Sequence, residues 1–275
     1  EMKEWTLFGF AVTCFLGLLS SPVLGQDVFN GVIDDEFNQT GNWAAGLPAL
    51  FPDFGGNFID IAVAGDTSIN VDDDVVGLGG LFNSTDFDNT FASLAAVPGS
   101  FTFNSGASID VGAGSFTFNI DVTALGAMSL DLSGGGSISF TSRAAQFNSA
   151  TEIFNGGGGQ ITSDDGIVEF GGGVTSDAGG HFVATGNGTF IFNSGFVGTG
   201  AQTFESGTDG SFTFKATSEI NGTTTFINEP TGTGLFMVDS GSLTFNGAVT
   251  SDADGNFSAT DGGDFVFNDT FVATG

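Results

Sequence analysis

The side chains most able to do chemistry are three runs of carboxylates: Asp34-Asp35-Glu36, Asp72-Asp73-Asp74 and Asp164-Asp165. Two carboxyl groups held about 5 or 9 Å apart can hydrolyse a glycosidic bond. Adjacent strand residues point to opposite faces, however, so none of these runs places a pair on one face. The single histidine, His181, sits in Gly179-Gly180-His181-Phe182 and reads as a solvent-facing corner residue. With no partner evident in the sequence it supports neither a zinc site nor a Ser-His-Asp triad. Gly-flanked acidic turns can hold calcium, but the spacing of a Gly-Gly-x-Gly-x-Asp repeat fails where Gly156 to Gly159 leads into Gln160 and Asp164. The reading is therefore of no catalytic, cofactor-binding or metal residues, with weak surface Ca2+ the only allowance.

Asparagine recurs after an apolar-x-apolar triplet, at Asn104, Asn119, Asn193, Asn246 and Asn268. Amides at such positions can contact sugars, but stacked asparagines at the corners of a repetitive fold bond to one another and to turn backbone, and that structural reading is preferred. Hydroxyls occupy the middle of several triplets, at Thr102, Thr117, Ser139, Thr213 and Thr244. A flat array of this kind can match ice, yet Glu169, Ile191 and Val266 interrupt it.

The positions of these side chains depend on a repeat. Val174 to Gly200 matches Val249 to Gly275, an offset of about 75 residues, with 17 identities in 27 positions. A shorter period is marked by the triplets Phe116-Thr117-Phe118, Ile138-Ser139-Phe140, Val168-Glu169-Phe170, Phe190-Ile191-Phe192, Phe212-Thr213-Phe214, Leu243-Thr244-Phe245 and Phe265-Val266-Phe267. Successive triplets start about 22 residues apart, except that the gaps before Val168 and Leu243 widen to about 30 residues. The expectation is a unit of about 22 residues with loops of eight or nine inserted near residues 141 to 160 and 215 to 235. Alternation within each triplet is the period-2 mark of a half-buried strand, and Gly, Ser, Asp and Asn supply the turns. Three short strands per unit, stacked copy on copy, predict an all-β, right-handed parallel β-helix with a column of apolar side chains inside each wall. A sandwich has no reason to repeat at this interval, and propeller blades need about 40 to 45 residues.

Composition bounds the function. The chain has 275 residues, 33 of them Phe and 46 Gly, with 32 acidic and 3 basic groups for a formal charge of −29. That balance excludes nucleic-acid binding through phosphate neutralisation and opposes attraction to anionic lipids or acidic polysaccharides. A hydrophobic content of 40% argues against disorder. Met2 to Gly25 reads as a signal peptide, with Lys3, an apolar run from Leu7 to Leu19 and cleavage before Gln26. The run is too short to span a bilayer, so no membrane span is expected in the mature chain. The only cysteine, Cys14, lies within this segment, so the mature chain has no disulfide and no thiol nucleophile. Residues 26–58 are expected to form an N-terminal cap, and 59–275 the β-helix, which stops in mid-coil and predicts further coils or end-to-end self-association.

The segment Gly41-Asn42-Trp43-Ala44-Ala45-Gly46-Leu47-Pro48, followed by Ile59 to Val63 and Ile69 to Leu78, resembles the opening of bacterial secreted β-helix proteins. The later Gly-x-Phe-Thr-Phe-Asn units are similar to autotransporter-associated β-strand repeats. The resemblance implies a secreted or cell-surface protein of passenger type, often an adhesin or envelope component. The functional expectation is accordingly an exported, adhesin-like structural solenoid that presents acidic faces to extracellular or cell-surface glycans or proteins. The alternative is a β-helical glycoside hydrolase, and a local carboxylate pair interrupting the regular outer face would favour it.

Overall fold

The computed structural model describes residues 26–29, 58–62, 66–71, 74–83, 85–93, 99–156, 158–229, 234–252 and 256–274. Every regular element among them is a strand. The first six are β1 (Gln26–Phe29), β2 (Phe58–Ile61), β3 (Thr67–Asn70), β4 (Val75–Asn83), β5 (Asp88–Ala92) and the long β6 (Ser100–Val111). Regular coils follow: β7 (Ser115–Phe118), β8 (Asp121–Ala124) and β9 (Met128–Asp131); β10 (Ser137–Thr141), β11 (Ala144–Phe147) and β12 (Thr151–Phe154); β13 (Gln160–Asp164), β14 (Ile167–Phe170) and β15 (Val174–Ser176). The chain continues through β16 (Gly180–Thr185), β17 (Thr189–Phe192) and β18 (Phe196–Gly198), then β19 (Gln202–Ser206), β20 (Ser211–Phe214) and β21 (Ser218–Ile220). Last come β22 (Thr224–Asn228), β23 (Leu235–Asp239) and β24 (Ser242–Phe245), then β25 (Val249–Asp252), β26 (Asn256–Thr260), β27 (Asp264–Phe267) and β28 (Phe271–Thr274).

All described pairings are parallel, and each strand pairs with strands about one coil away, which makes the molecule an all-β parallel solenoid. The pairings form three rows. The first is a ten-stranded sheet from β3 to β28. A second runs from the front of β6 through β8, β11, β14, β17, β20 and β23 to β26, and a third from β1 through β2, β4, the back of β6, β9, β12, β15, β18, β21 and β24 to β27. Small-residue corners let the coils stack closely. At the corner after β9, a Cβ on Gly134 would lie 2.7 Å from the carbonyl of Gly112 in the coil below, which leaves room only for glycine.

Inward positions of all three rows carry the core. Phe147, Phe170, Phe192 and Phe214 stack along the second row with centroids 4.9, 5.3 and 4.8 Å apart and near-parallel rings. Phe182 and Phe204 do the same on the first row at 5.4 Å. Rings from different rows meet edge to face, as Phe182 does with Phe190 and Phe196. The spacing follows from the strand separation of about 4.8 Å, and each buried ring contributes roughly 2 to 3 kcal/mol.

Register corrects the expected repeat. Coil steps along the first row, from Ser115 to Ser137, Gln160 and onward, are all about 21 to 25 residues, one turn of the stack. No loop of eight is inserted at 141–160, where β11 and β12 pair on both sides. The triplet instead changes row. Phe116–Phe118 and Ile138–Phe140 lie on the first row, the triplets from Val168, Phe190 and Phe212 on the second, and those from Leu243 and Phe265 on the third. The extra eight or nine residues are one strand and one corner. Between 215 and 235 the coil is longer by two or three residues, since Thr224 pairs with Val249, and residues 230–233 of that connection lie outside the described residues.

The longer offset, from Val174 to Val249, behaves in the same way. It carries β15 of the third row onto β25 of the first, β16 of the first onto β26 of the second, and β17 of the second onto β27 of the third. The left-handed backbone of Gly186 (φ 56°) recurs at Asp261 (φ 48°), one corner further round.

Candidate functional site

Outward side chains on each row line up in columns along the solenoid axis, because a parallel pair in register places like positions above one another. On the first row His181, in strand β16 rather than at a corner, lies with its Nε2 3.2 Å from Oε2 of Glu205 on β19, both side chains about one-third exposed. The outward Val183, the register partner of Glu205, is only 4% exposed. The histidine therefore has a partner that only the register reveals.

The carboxylate runs are placed differently from one another. Asp34, Asp35, Glu36, Asp72 and Asp73 lie outside the described residues, while Asp74 accepts a hydrogen bond from Ser100 Oγ at 2.8 Å. Asp164 accepts from Thr185 Oγ1 at 2.9 Å, and Asp165 from the backbone N–H of Asn187 at 2.8 Å and its amide at 3.1 Å. These donors, the backbone N–H first, hold the Asp165 carboxyl below its ordinary range. Both residues serve the corner that β13 turns with Asp165 in a left-handed conformation.

The asparagines divide by corner. Asn268 donates to Asn246 at 2.7 Å and Asn246 to Asn221 at 2.8 Å, a stacked ladder at the end of the third row. Asn193 ends a second-row strand and donates to Glu169 at 2.6 Å, while Asn104 reaches the carbonyl of Gly77 at 3.1 Å. The triplet hydroxyls do not form one array: Thr117 and Ser139 stand on the first row, Thr102 and Thr213 on the second and Thr244 on the third.

One outward column combines acids with aromatics. On the third row Phe82 of β4 pairs in register with Asp110 of β6, Asp110 with Asp131 of β9, and Asp131 with Phe154 of β12. Burial, and then the charge of Asp131, push the Asp110 carboxyl above its ordinary range. Beside this column run Ser108, Ser129 and Glu152, and a shallow hollow of about 280 Å³ lined by Gly106, Met128, Ser129 and Glu152 adjoins it. The sequence does carry a signal for the acid pair: Ile109-Asp110-Val111 and Leu130-Asp131-Leu132 are apolar-Asp-apolar triplets one coil apart. A second hollow of about 290 Å³ lies at the corner between the first and second rows, where Arg143 sits with Asp121 and Asp165.

Among the described residues no group of three or more His, Cys, Asp or Glu is arranged to hold a metal ion, and no helix is long and apolar enough to cross a membrane. A scan against protein-family models finds no match, and searches of curated proteins and of solved structures find no similar chain. The fold stands as a parallel β-solenoid on its own geometry.

Proposed function

We propose that the chain is an exported structural protein of adhesin type, displayed on a cell surface or released, whose long acidic faces bind extracellular or cell-surface glycans or proteins through many repeated contacts. The observation that carries this reading is the set of outward columns, in which polar side chains recur coil after coil around an interior filled by phenylalanine. Export rests on the leader-like pattern of Met2 to Gly25, and right-handed winding on the strong preference of parallel crossovers for that hand. Weak calcium binding and end-to-end self-association belong to the same proposal. A charge of −29 makes divalent screening favourable wherever coils or copies approach.

The test is saturable binding of the purified chain to arrays of neutral and charged polysaccharides and to extracellular matrix, with and without calcium, while reducing ends are assayed. Binding without product release supports the structural reading. A second reading, a β-helical glycoside hydrolase, is favoured by one observation: Asp110 and Asp131 are register partners on one face. One strand spacing of about 4.8 Å separates their backbones, so both carboxyl groups stand on one wall within reach of a single glycosidic bond. Release of reducing ends that disappears in Asp131→Asn would establish the hydrolase in place of the adhesin.

A further inference from the structure

Phenylalanine in this fold belongs inside, and the large side chains with no accessible surface are headed by Phe91, Phe101, Phe103, Phe116 and Phe118. Phe154 breaks that rule in the middle of a regular wall: it points outward from β12 and is 41% exposed. Phe82 points outward from β4 on the same column and is half-buried. Between them on the same line stand Asp110 and Asp131. We infer that this column is a recognition track for an uncharged glycan chain lying along the solenoid axis, with Phe82 and Phe154 as stacking platforms and Asp110 and Asp131 as acceptors for sugar hydroxyls.

The chemistry of each part points to that occupant. An outward aromatic face offers flat apolar area at little entropic cost, and the C–H face of a pyranose ring is its complement. An ionised carboxylate accepts hydrogen bonds from hydroxyls more strongly than a neutral acceptor does. Four successive strands separate the two platforms by three strand spacings, about 14 Å, enough for a few sugar rings in an extended chain. Ser108, Ser129 and Glu152 run parallel to the track and offer further hydroxyl and carboxylate partners, and the adjoining hollow has room for a side branch. Anionic glycans are repelled by the aspartates and by the net charge of −29. A basic polypeptide would be drawn by the aspartates and could also lay its cations on the rings, but that attraction is electrostatic and weakens with salt, whereas the stacking of an uncharged sugar does not, so salt separates the two cases.

The inference rests on the surface-binding reading and names its ligand. It is tested by calorimetric titration of the full chain with cellohexaose, xylohexaose, laminarihexaose and mannohexaose, and with oligolysine, at low and high salt. At least one neutral hexasaccharide is expected to bind saturably with little salt dependence. Affinity should fall at least tenfold in Phe154→Ala and in the double variant Asp110→Asn/Asp131→Asn, while the first-row control Ile227→Ser leaves it unchanged. Circular dichroism checks that the variants keep the fold, which outward substitutions should preserve. Binding that persists in both column variants, binding of oligolysine alone, or no binding of any of the four sugars would each overturn the track. Adhesion of the wild-type chain to extracellular matrix that persists in Phe154→Ala would sink the track while leaving the surface-binding reading standing.

Discussion

Residues 174–199 and 249–274 match at 16 of 26 positions and sit in different surroundings. In the first stretch Phe190, Phe192 and Phe196 have no accessible surface, and Phe192 is held between Phe170 and Phe214. In the second, Phe267 stacks on Phe245 at 5.1 Å with no coil described beyond it and is 37% exposed, and Phe271 is 42% exposed. The alternation of inward and outward residues is the same in both stretches up to β25; burial is not. Strand sequence therefore sets which side chains face inward, whereas the coils on either side decide what that facing contributes to stability, as expected of a quasi-one-dimensional stack.

The largest effect tests this directly. Measured in the chain of residues 1–275, Phe192→Ala should lower stability by about 3 to 5 kcal/mol, since it leaves a cavity between two rings, whereas Phe267→Ala in that same chain should cost about 1 kcal/mol. Chemical denaturation followed by hydrogen exchange on neighbouring strands would read both, and equal losses would show that burial by adjacent coils does not govern stability. A smaller effect concerns the asparagines that end equivalent strands. Asn246 donates to Glu219 and Asn221 and accepts from Asn268, so Asn246→Ala should cost about 1 kcal/mol, and Asn193→Ala, with its side-chain bond to Glu169, less than that. Thermal melts of the two variants would rank them, and the reverse order would break the distinction between ladder and isolated corner.

The smallest effect contrasts a wall with a corner. Asp110 has its proton affinity raised in the fold by burial and by Asp131, so its ionisation opposes folding. Asp110→Asn should melt higher than the parent at neutral pH, and the difference should close as pH falls toward the ordinary carboxylate range. Asp165 has the opposite sign: its depressed proton affinity supports the fold at neutral pH, and that support is lost as pH falls below its ordinary value. Melting profiles of the two Asn variants between about pH 3 and pH 7 should therefore diverge in opposite directions.

Much of the architecture is legible in the chain. Triplets such as Phe190-Ile191-Phe192 carry the in-and-out alternation, small residues mark the corners, and a step of about 22 residues identifies the coil. The row on which a triplet lies is not legible, because all three rows use the same pattern and a shift by one strand and one corner looks like an insertion. The candidate site is legible only in part for the same reason: the triplets around Asp110 and Asp131 stand one coil apart, but nothing in the chain says that they share a row. Asp110 and Asp131 are a full coil apart in the chain and become neighbours only once the register is known, as do His181 and Glu205. The contiguous acids that draw the eye, Asp164 and Asp165, turn out to brace a corner.

The offset that moves each strand onto the next row has a consequence for display. The outward Thr175 on the third row reappears as the outward Thr250 on the first, further along the axis. A surface motif copied in this way winds around the rod like the stripe on a barber's pole. A rigid partner lying along one side would meet such a motif only once in every three copies, whereas a flexible chain able to wrap could follow all of them.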